Sequence, residues 1–201
     1  MNERADTKTR ILDAAEKLFG ENGFDATSLR DITTEADVNL AAVNYHFQSK
    51  ESLIESCIMR GAEPVNQKRL AMLEAAGPQA TVEQIVEAFV APILEFDQSA
   101  LAPLMARVLA SPDIMKRVFR VHMDLITRRF SDALAIALPH LSSTERVWRL
   151  HFIAGSMAHT VTRAPVMREL YGGVLDFDDR KTLIARLVKF AAAGLRAPEV
   201  F

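Results

Sequence analysis

Along the first sixty positions, apolar residues recur three and four apart. Ile11, Ala14, Ala15, Leu18 and Phe19 form one stripe, the spacing of a helix with a single buried face. Asn22-Gly23 closes it, because glycine accepts the left-handed position after a helix end. A shorter stripe, Leu29, Ile32 and Ala36, is opened by Thr27-Ser28, with Asp31 placed to complete a capping box from Ser28. Asp37 then stands at a turn, where it tolerates left-handed backbone better than most residues. Asn39 caps a third helix, equally short, to about Phe47, with Val43 and Phe47 facing inward. Ser49 caps a fourth, with Leu53, Ile54, Cys57 and Ile58 inward. Gly61 and Pro64 are expected to kink or break it, and Gly77-Pro78 to end it.

The remaining pattern predicts longer helices. Thr81 with Gln84 is a capping box, opening a helix to about Phe96 that Pro92 should bend. A short helix covers about Ala100 to Ala110. Ser111-Pro112 opens another, to about Leu138. Ser142 with Glu145 opens one through Trp148 to about Arg163, and Pro165 and Gly172-Gly173 mark a long connection. Asp178 opens the last helix, which ends near Gly194 and Pro198. Period-2 alternation is rare, so the chain reads as all-α with about nine helices.

Composition changes this picture little. Of 201 residues, 49% are hydrophobic and 25% charged, the balance of a globular protein with a real core. The formal charge of −2 predicts no nucleic-acid partner, and acidic residues outnumber basic ones within residues 1–50. Any DNA binding must therefore come from a focused patch. One cysteine excludes a disulfide framework within the chain and fits a reducing cytoplasm. The N-terminus does not read as a signal peptide, and no apolar run is long enough to span a bilayer.

Two short helices joined by a tight turn and packed on a third are a helix-turn-helix arrangement. The second must be slim and polar outside to enter a major groove. Here it reads Leu40-Ala41-Ala42-Val43-Asn44-Tyr45-His46-Phe47. With Val43 and Phe47 inward, Leu40, Ala41, Ala42, Asn44 and Tyr45 offer the surface. Asparagine can read adenine, and Ala or Leu can touch thymine methyls. Tyr45 and His46 can donate to phosphates. Lys50, in the first turn of the next helix, joins free backbone amides that attract a phosphate. Thr27 and Ser28 do the same one helix earlier, and the cap residue Asn39 is a further candidate DNA contact. Arg30 is either a phosphate or base contact or a solvated helix arginine.

The stretch "TSLRDITTEADVNLAAVNYHFQSKESL" resembles the DNA-binding region of the TetR family of bacterial transcriptional regulators. The matching residues are Thr27, Ile32, Ala36, Val38, Val43, His46, Phe47, Ser49, Lys50, Glu51 and Leu53; "ILDAAEKLFGENGFDATS" resembles the family's first helix and loop. The likeness covers about residues 8–58. Asp37 departs from a turn glycine, Asn39 from a serine cap, Ala41 from a frequent glycine, and Asn44 from a frequent phosphate-binding tyrosine, so that a base contact is as open to Asn44 as a phosphate contact. "NLAAVNYHF", "RVWRLHFIAGSMAHTVTRAP" and "LVKFAAAGLRA" are similar to a branch that includes fatty-acid-responsive repressors.

The resemblance implies a DNA-binding domain over 1–52 and a helical ligand-binding and dimerisation domain over 53–201. It implies a ligand-responsive regulator, a repressor released from operator DNA by a small apolar or amphipathic effector. Two subunits would pair through the last two helices, where Ala154, Gly155, Ala158 and residues 191–194 are small. Phe89, Phe96, Met105, Phe119, Met123, Trp148, Phe152 and His159 could line the effector cavity; the alternative is an ordinary helical core. Arg128, Arg149 and Arg163 could neutralise an anionic head group. The histidines lack metal-ligand spacing, and no catalytic motif is present, so neither metal, cofactor nor enzyme activity is expected. The competing reading is a small-molecule-binding helical protein that has lost DNA binding.

Overall fold

The computed structural model describes residues 3–96 and 98–199. Among them are ten α-helices and no strand: α1 (Glu3–Asn22), α2 (Leu29–Glu35), α3 (Leu40–Phe47), α4 (Lys50–Ala76), α5 (Val82–Glu95), α6 (Gln98–Leu109), α7 (Pro112–Val118), α8 (Asp124–Ala137), α9 (Ser143–Leu170) and α10 (Arg180–Arg196). A π-helical turn, Phe119–Met123, joins α7 to α8 without a break in helical structure. Counted as one rod, residues 112–137 bring the total to the nine helices expected.

The local signals act as the sequence indicates. Ser28 and Asp31 form a reciprocal capping box on α2, and Thr81 and Gln84 form another on α5. Asn39 Oδ1 accepts from the Ala42 amide at 2.8 Å, and Ser49 Oγ accepts from the Ser52 amide at 3.1 Å. Ser142 caps α9 through the Glu145 amide, but the pair does not close into the capping box its spacing suggests: the Ser142 amide donates to Glu199, and the Glu145 carboxylate pairs with Arg149. Asp179, one residue later than expected, caps α10. The prolines behave differently. α4 runs unbroken through Gly61 and Pro64, and α9 continues past Pro165 to Leu170. A proline removes one amide donor, and a long helix tolerates that loss when the turns on either side are held by packing. Ile58, Val65, Asn66 and Arg69 are buried around Pro64, and Val161 precedes Pro165 on the buried face of α9.

The chain divides into two compact units: residues 1–63 with 97–118, and 64–96 with 119–201. This packing division differs from a cut at residue 52. In the first unit Leu53, Ile54, Cys57 and Ile58 of α4, with Leu104 and Val118, close a core built on Ile11, Ala15, Phe19, Phe24, Ile32, Val43 and Phe47. The C-terminal end of α1 is held twice. Gly23 takes the left-handed position (φ 89°), and Arg107 donates to the carbonyls of Gly20 and Glu21 at 3.2 and 2.7 Å. Cys57 lies within this core, and burial pushes its thiol far above the usual range.

In the second unit α5 is enclosed. Val82, Ile85, Val86 and residues 88–94 are all buried, so this helix reads apolar on nearly every face. Phe130, Leu134, Ile153, Met157, Val161, Ile184, Val188 and Leu195 complete that core. Arg149 is buried, pairs with Glu145 at 2.8 Å and donates to the carbonyls of Gly194, Leu195, Ala197 and Pro198. It therefore caps the negative end of α10 and is not free to meet a ligand head group. Arg128 is exposed and pairs with Asp124, and Arg163 is exposed.

Candidate nucleic-acid interface

α3 is short because its signals are close together. Asn39 starts it, and Gln48, with φ at 65°, ends it. Val43 and Phe47, one turn apart, are both buried in the first unit's core, which fixes the rotation of the helix. That rotation leaves Leu40, Ala41, Asn44 and Tyr45 exposed, Tyr45 by 68%. Ala42 leans against the core and is only partly available. His46 is half-buried, its ring edge-on to Tyr45 with centroids 5.1 Å apart. Asn39 is exposed and Lys50 half-buried at the first position of α4. The result is a narrow surface carrying an amide, a phenol, an imidazole, small apolar groups and an ammonium, the set that reads base edges and grips phosphates.

On α2, Ser28 and Arg30 are exposed. Ser28 donates twice to the Asp31 carboxylate, through its hydroxyl at 2.7 Å and its amide at 2.8 Å. Those bonds hold the Asp31 carboxyl below its usual range. Thr27 is corrected by the structure. It is buried, and its hydroxyl donates to the Gly23 carbonyl at 2.8 Å and the Leu18 carbonyl at 3.2 Å. Its side chain secures the end of α1 and offers nothing to a phosphate.

The turn between α2 and α3 is held by a residue that local reading misses. Asp37 takes the left-handed conformation (φ 49°) that a glycine would adopt without strain. Arg10 of α1 reaches across to donate to the Ala36 carbonyl at 2.6 Å and the Asp37 carbonyl at 2.8 Å, with the Asp37 carboxylate at 3.3 Å. Lys17 pairs with Glu35 at 2.7 Å beside it. The cap on the free carbonyls of α2 thus comes from 26 residues earlier in the chain; its one hint in the sequence is the missing glycine. Arg10→Met is expected to lower the stability of the fold by about 1 kcal/mol, the worth of a partly exposed charged cap. Urea unfolding followed by circular dichroism measures it; an unchanged midpoint would show the clamp to be idle.

Within the second unit the candidate effector residues do not come together in one place. Phe89 is buried in the second unit, Phe96 is half-buried, and Met123 is half-buried beside Asn66. Met105 belongs to the first unit. Phe119, Trp148, Phe152 and His159 are exposed. Trp148 and Phe152 stack on the outer face of α9 with centroids 5.8 Å apart. A residue's type says that it is apolar and its helical phase says which neighbours share its face, but neither says whether that face meets the same chain.

The residues around this surface match a known pattern. Residues 11–57 match the model described as bacterial regulatory proteins, tetR family. Residues 87–194, more than half the chain, match the model described as tetracyclin repressor-like, C-terminal domain. The chain belongs to the TetR family. Among curated relatives of this TetR-family chain, the HTH-type transcriptional regulator UidR of Escherichia coli K12 is 31% identical over 132 residues, which cover 63% of this chain and 66% of that protein, just under two thirds of its length. IcaR of Staphylococcus aureus, described as a negative regulator of the biofilm operon icaADBC, is 41% identical over 51 residues, 25% of this chain and 27% of its own. Among solved structures, the fatty acid degradation regulator FadR of Bacillus halodurans superposes with a TM-score of 0.69 at 16% identity, covering 96% of this chain and 97% of that one. A TetR-like regulator from Rhodococcus sp. RHA1 gives 0.63 at 19%, covering 94% and 96%. At such identities these two establish the TetR fold and nothing further. Among the described residues, no helix is long and apolar enough to cross a membrane.

Proposed function

We propose that this chain is a transcriptional regulator that binds operator DNA as a homodimer and is released from it by a small effector, acting as a repressor. The observation that carries the DNA-binding part is the fixed rotation of α3, which buries Val43 and Phe47 and leaves Leu40, Ala41, Asn44 and Tyr45 outward. In this reading residues 1–52 bind DNA and 53–201 bind effector and partner. Ser28, Arg30 and Lys50 grip phosphates, and Asn44 and Tyr45 face the groove. Two recognition helices related by a two-fold axis meet half-sites roughly 34 Å apart. The relatives' printed names, a transcriptional regulator and a negative regulator, support the same reading.

Support for the dimer is the outer face of α9 and α10. Trp148, Phe152 and Phe190 are 54%, 61% and 71% exposed. Phe152, Ile153, Leu187, Phe190, Ala191 and Gly194 line an apolar groove of about 420 Å³. A side chain added at Gly155 or Gly194 would meet no heavy atom within 4 Å, so both positions leave room for a neighbouring backbone. Such contiguous apolar surface is typical of a protein interface, and pairing there completes a four-helix bundle. Effector bound in the second unit acts by favouring one of two states, the state whose recognition helices are mis-spaced. Its differential affinity for the two sets the size of the response.

The test is enrichment of duplexes from a random library on the full-length protein, followed by titration of the winning duplex. Wild type is expected to enrich a pseudo-palindrome. Replacing His46 and Lys50 together with alanine should weaken binding at least tenfold, since each removes a charged or polar phosphate contact, while circular dichroism stays unchanged. Failure to enrich any duplex, or equal affinity in the double variant, favours the competing reading of a ligand-binding protein without DNA.

A further inference from the structure

Arg69, on α4, is 3% exposed. Its Nε donates to the Phe89 carbonyl at 2.8 Å, its Nη1 to Asn66 Oδ1 at 3.1 Å and its Nη2 to the Met157 sulfur at 3.3 Å. The guanidinium lies 4.6 Å from the centroid of the Phe89 ring, which itself packs edge-on against Phe130. Among the described residues none of these partners is a carboxylate. Burial pulls the guanidinium down to about 10, so it keeps its charge at neutral pH. A buried cation without a counter-charge destabilises a fold. Two of its partners are poor substitutes for an anion: an amide oxygen is neutral, and a thioether is a weak acceptor. The Asn66 amide is in the same position, donating to the Met123 sulfur at 3.7 Å.

We propose that Arg69 is the anion-binding residue of the effector site in the second unit, and that the effector is an apolar molecule bearing one carboxylate. This rests on the reading of that unit as effector-binding, and it names the chemical class. Three of the five guanidinium hydrogens meet these partners, which leaves two for the oxygens of a carboxylate. Met157 yields its place at Nη2, and the Asn66 amide adds a third donor. Met123 and Met157 are unbranched and flexible, so they can swing aside to admit an apolar tail against Phe89 and Phe130. Arg69 lies on none of the stripes that mark effector candidates in the sequence; it sits in the polar run Asn66-Gln67-Lys68-Arg69 of a long helix.

Calorimetric titration of the full-length protein with decanoate and 4-phenylbutyrate, each paired with its uncharged amide, tests the assignment. Wild type is expected to bind at least one acid ten times or more tighter than the matching amide. Arg69→Met should bind acid and amide equally, and should melt at or above the wild-type temperature, because an apolar side chain of similar length removes the uncompensated charge. A merely structural arginine would give the opposite, a lower melting temperature with unchanged ligand preference. If Arg69→Met does not fold, Arg69→Lys decides. It retains charge without the fork, and a loss of acid preference of threefold or more supports the assignment, whereas an unchanged preference overturns it. Wild type that binds acid and amide alike, or neither, also overturns it. If that same protein still enriches duplexes, the regulator reading stands without the carboxylate.

Discussion

Phe190→Glu is expected to convert the proposed dimer to a monomer at micromolar concentration. Phe190 is the most exposed large aromatic on α10, and it borders the same groove as Phe152. Burying a phenylalanine contributes about 1.5–3 kcal/mol. In a two-fold interface each substitution acts twice, and each glutamate is placed in a desolvated apolar contact. The apolar loss alone comes to about 3–6 kcal/mol on that scale, a hundredfold or more in the dimer constant, and the desolvated glutamates add to it. The isolated subunit should remain folded, since the side chain has little to lose within its own chain. Duplex binding should fall by more than a hundredfold, because two linked half-site contacts become two separate weak ones. Sedimentation velocity and duplex titration read both effects. A variant that sediments as a dimer at the wild-type concentration dependence would remove this face from consideration.

The second large effect lies inside the first unit. Phe47→Ala is expected to lower stability by about 3–5 kcal/mol, the range for truncating a buried aromatic. Phe47 is the last residue of α3 and is enclosed with Ile11, Ile32, Val43 and Leu53. Its loss leaves α3 anchored mainly by Val43, and a helix of two turns has little stability of its own. Tyr45→Ala, two positions earlier but largely exposed, should change stability by less than about 0.5 kcal/mol and yet weaken duplex binding. Urea unfolding of the two variants separates support from contact. Equal losses of stability in both would mean that α3 is rotated differently from the structure described above.

Much of the first unit is legible in sequence because its determinants are local. Ser28 and Asp31, or Asn39 and the Ala42 amide, lie three residues apart, and such pairs are visible in any window that contains them. The rotation of α3 follows from the spacing of Val43 and Phe47. What escapes is the long-range cap. Arg10 and Arg107 serve carbonyls far away in sequence, and an arginine of that kind looks like any solvated helix residue until the fold brings the helix end to it. Thr27 escapes for the converse reason: its hydroxyl is suited to a phosphate, yet the fold aims it at the Gly23 carbonyl. Pro64 and Pro165 are strong breakers in isolation, and the buried turns around them override the local signal.

The second unit is less legible. Met105, Phe119, Trp148, Phe152 and His159 have the composition of a pocket wall, but Met105 falls in the first unit and the other four are exposed in the second. Arg149 reads as a ligand-neutralising charge and proves to be the cap of α10. Arg69, which no sequence pattern singles out, is buried against Phe89. In both cases the deciding fact is which element lies opposite, and that is set by packing across twenty residues of chain or more.

The enclosure of Cys57 has a practical side. With the one cysteine of the sequence buried inside the first unit and its thiol pushed toward the protonated form, the folded chain is expected to react slowly with maleimides and methanethiosulfonates. A cysteine introduced at Tyr45 or Phe152 would therefore carry a spin label or fluorophore alone, without prior removal of the native one. Each assembled pair would then hold two probes at known sites, and the spacing between its reading heads could be followed by distance spectroscopy as small molecules are added.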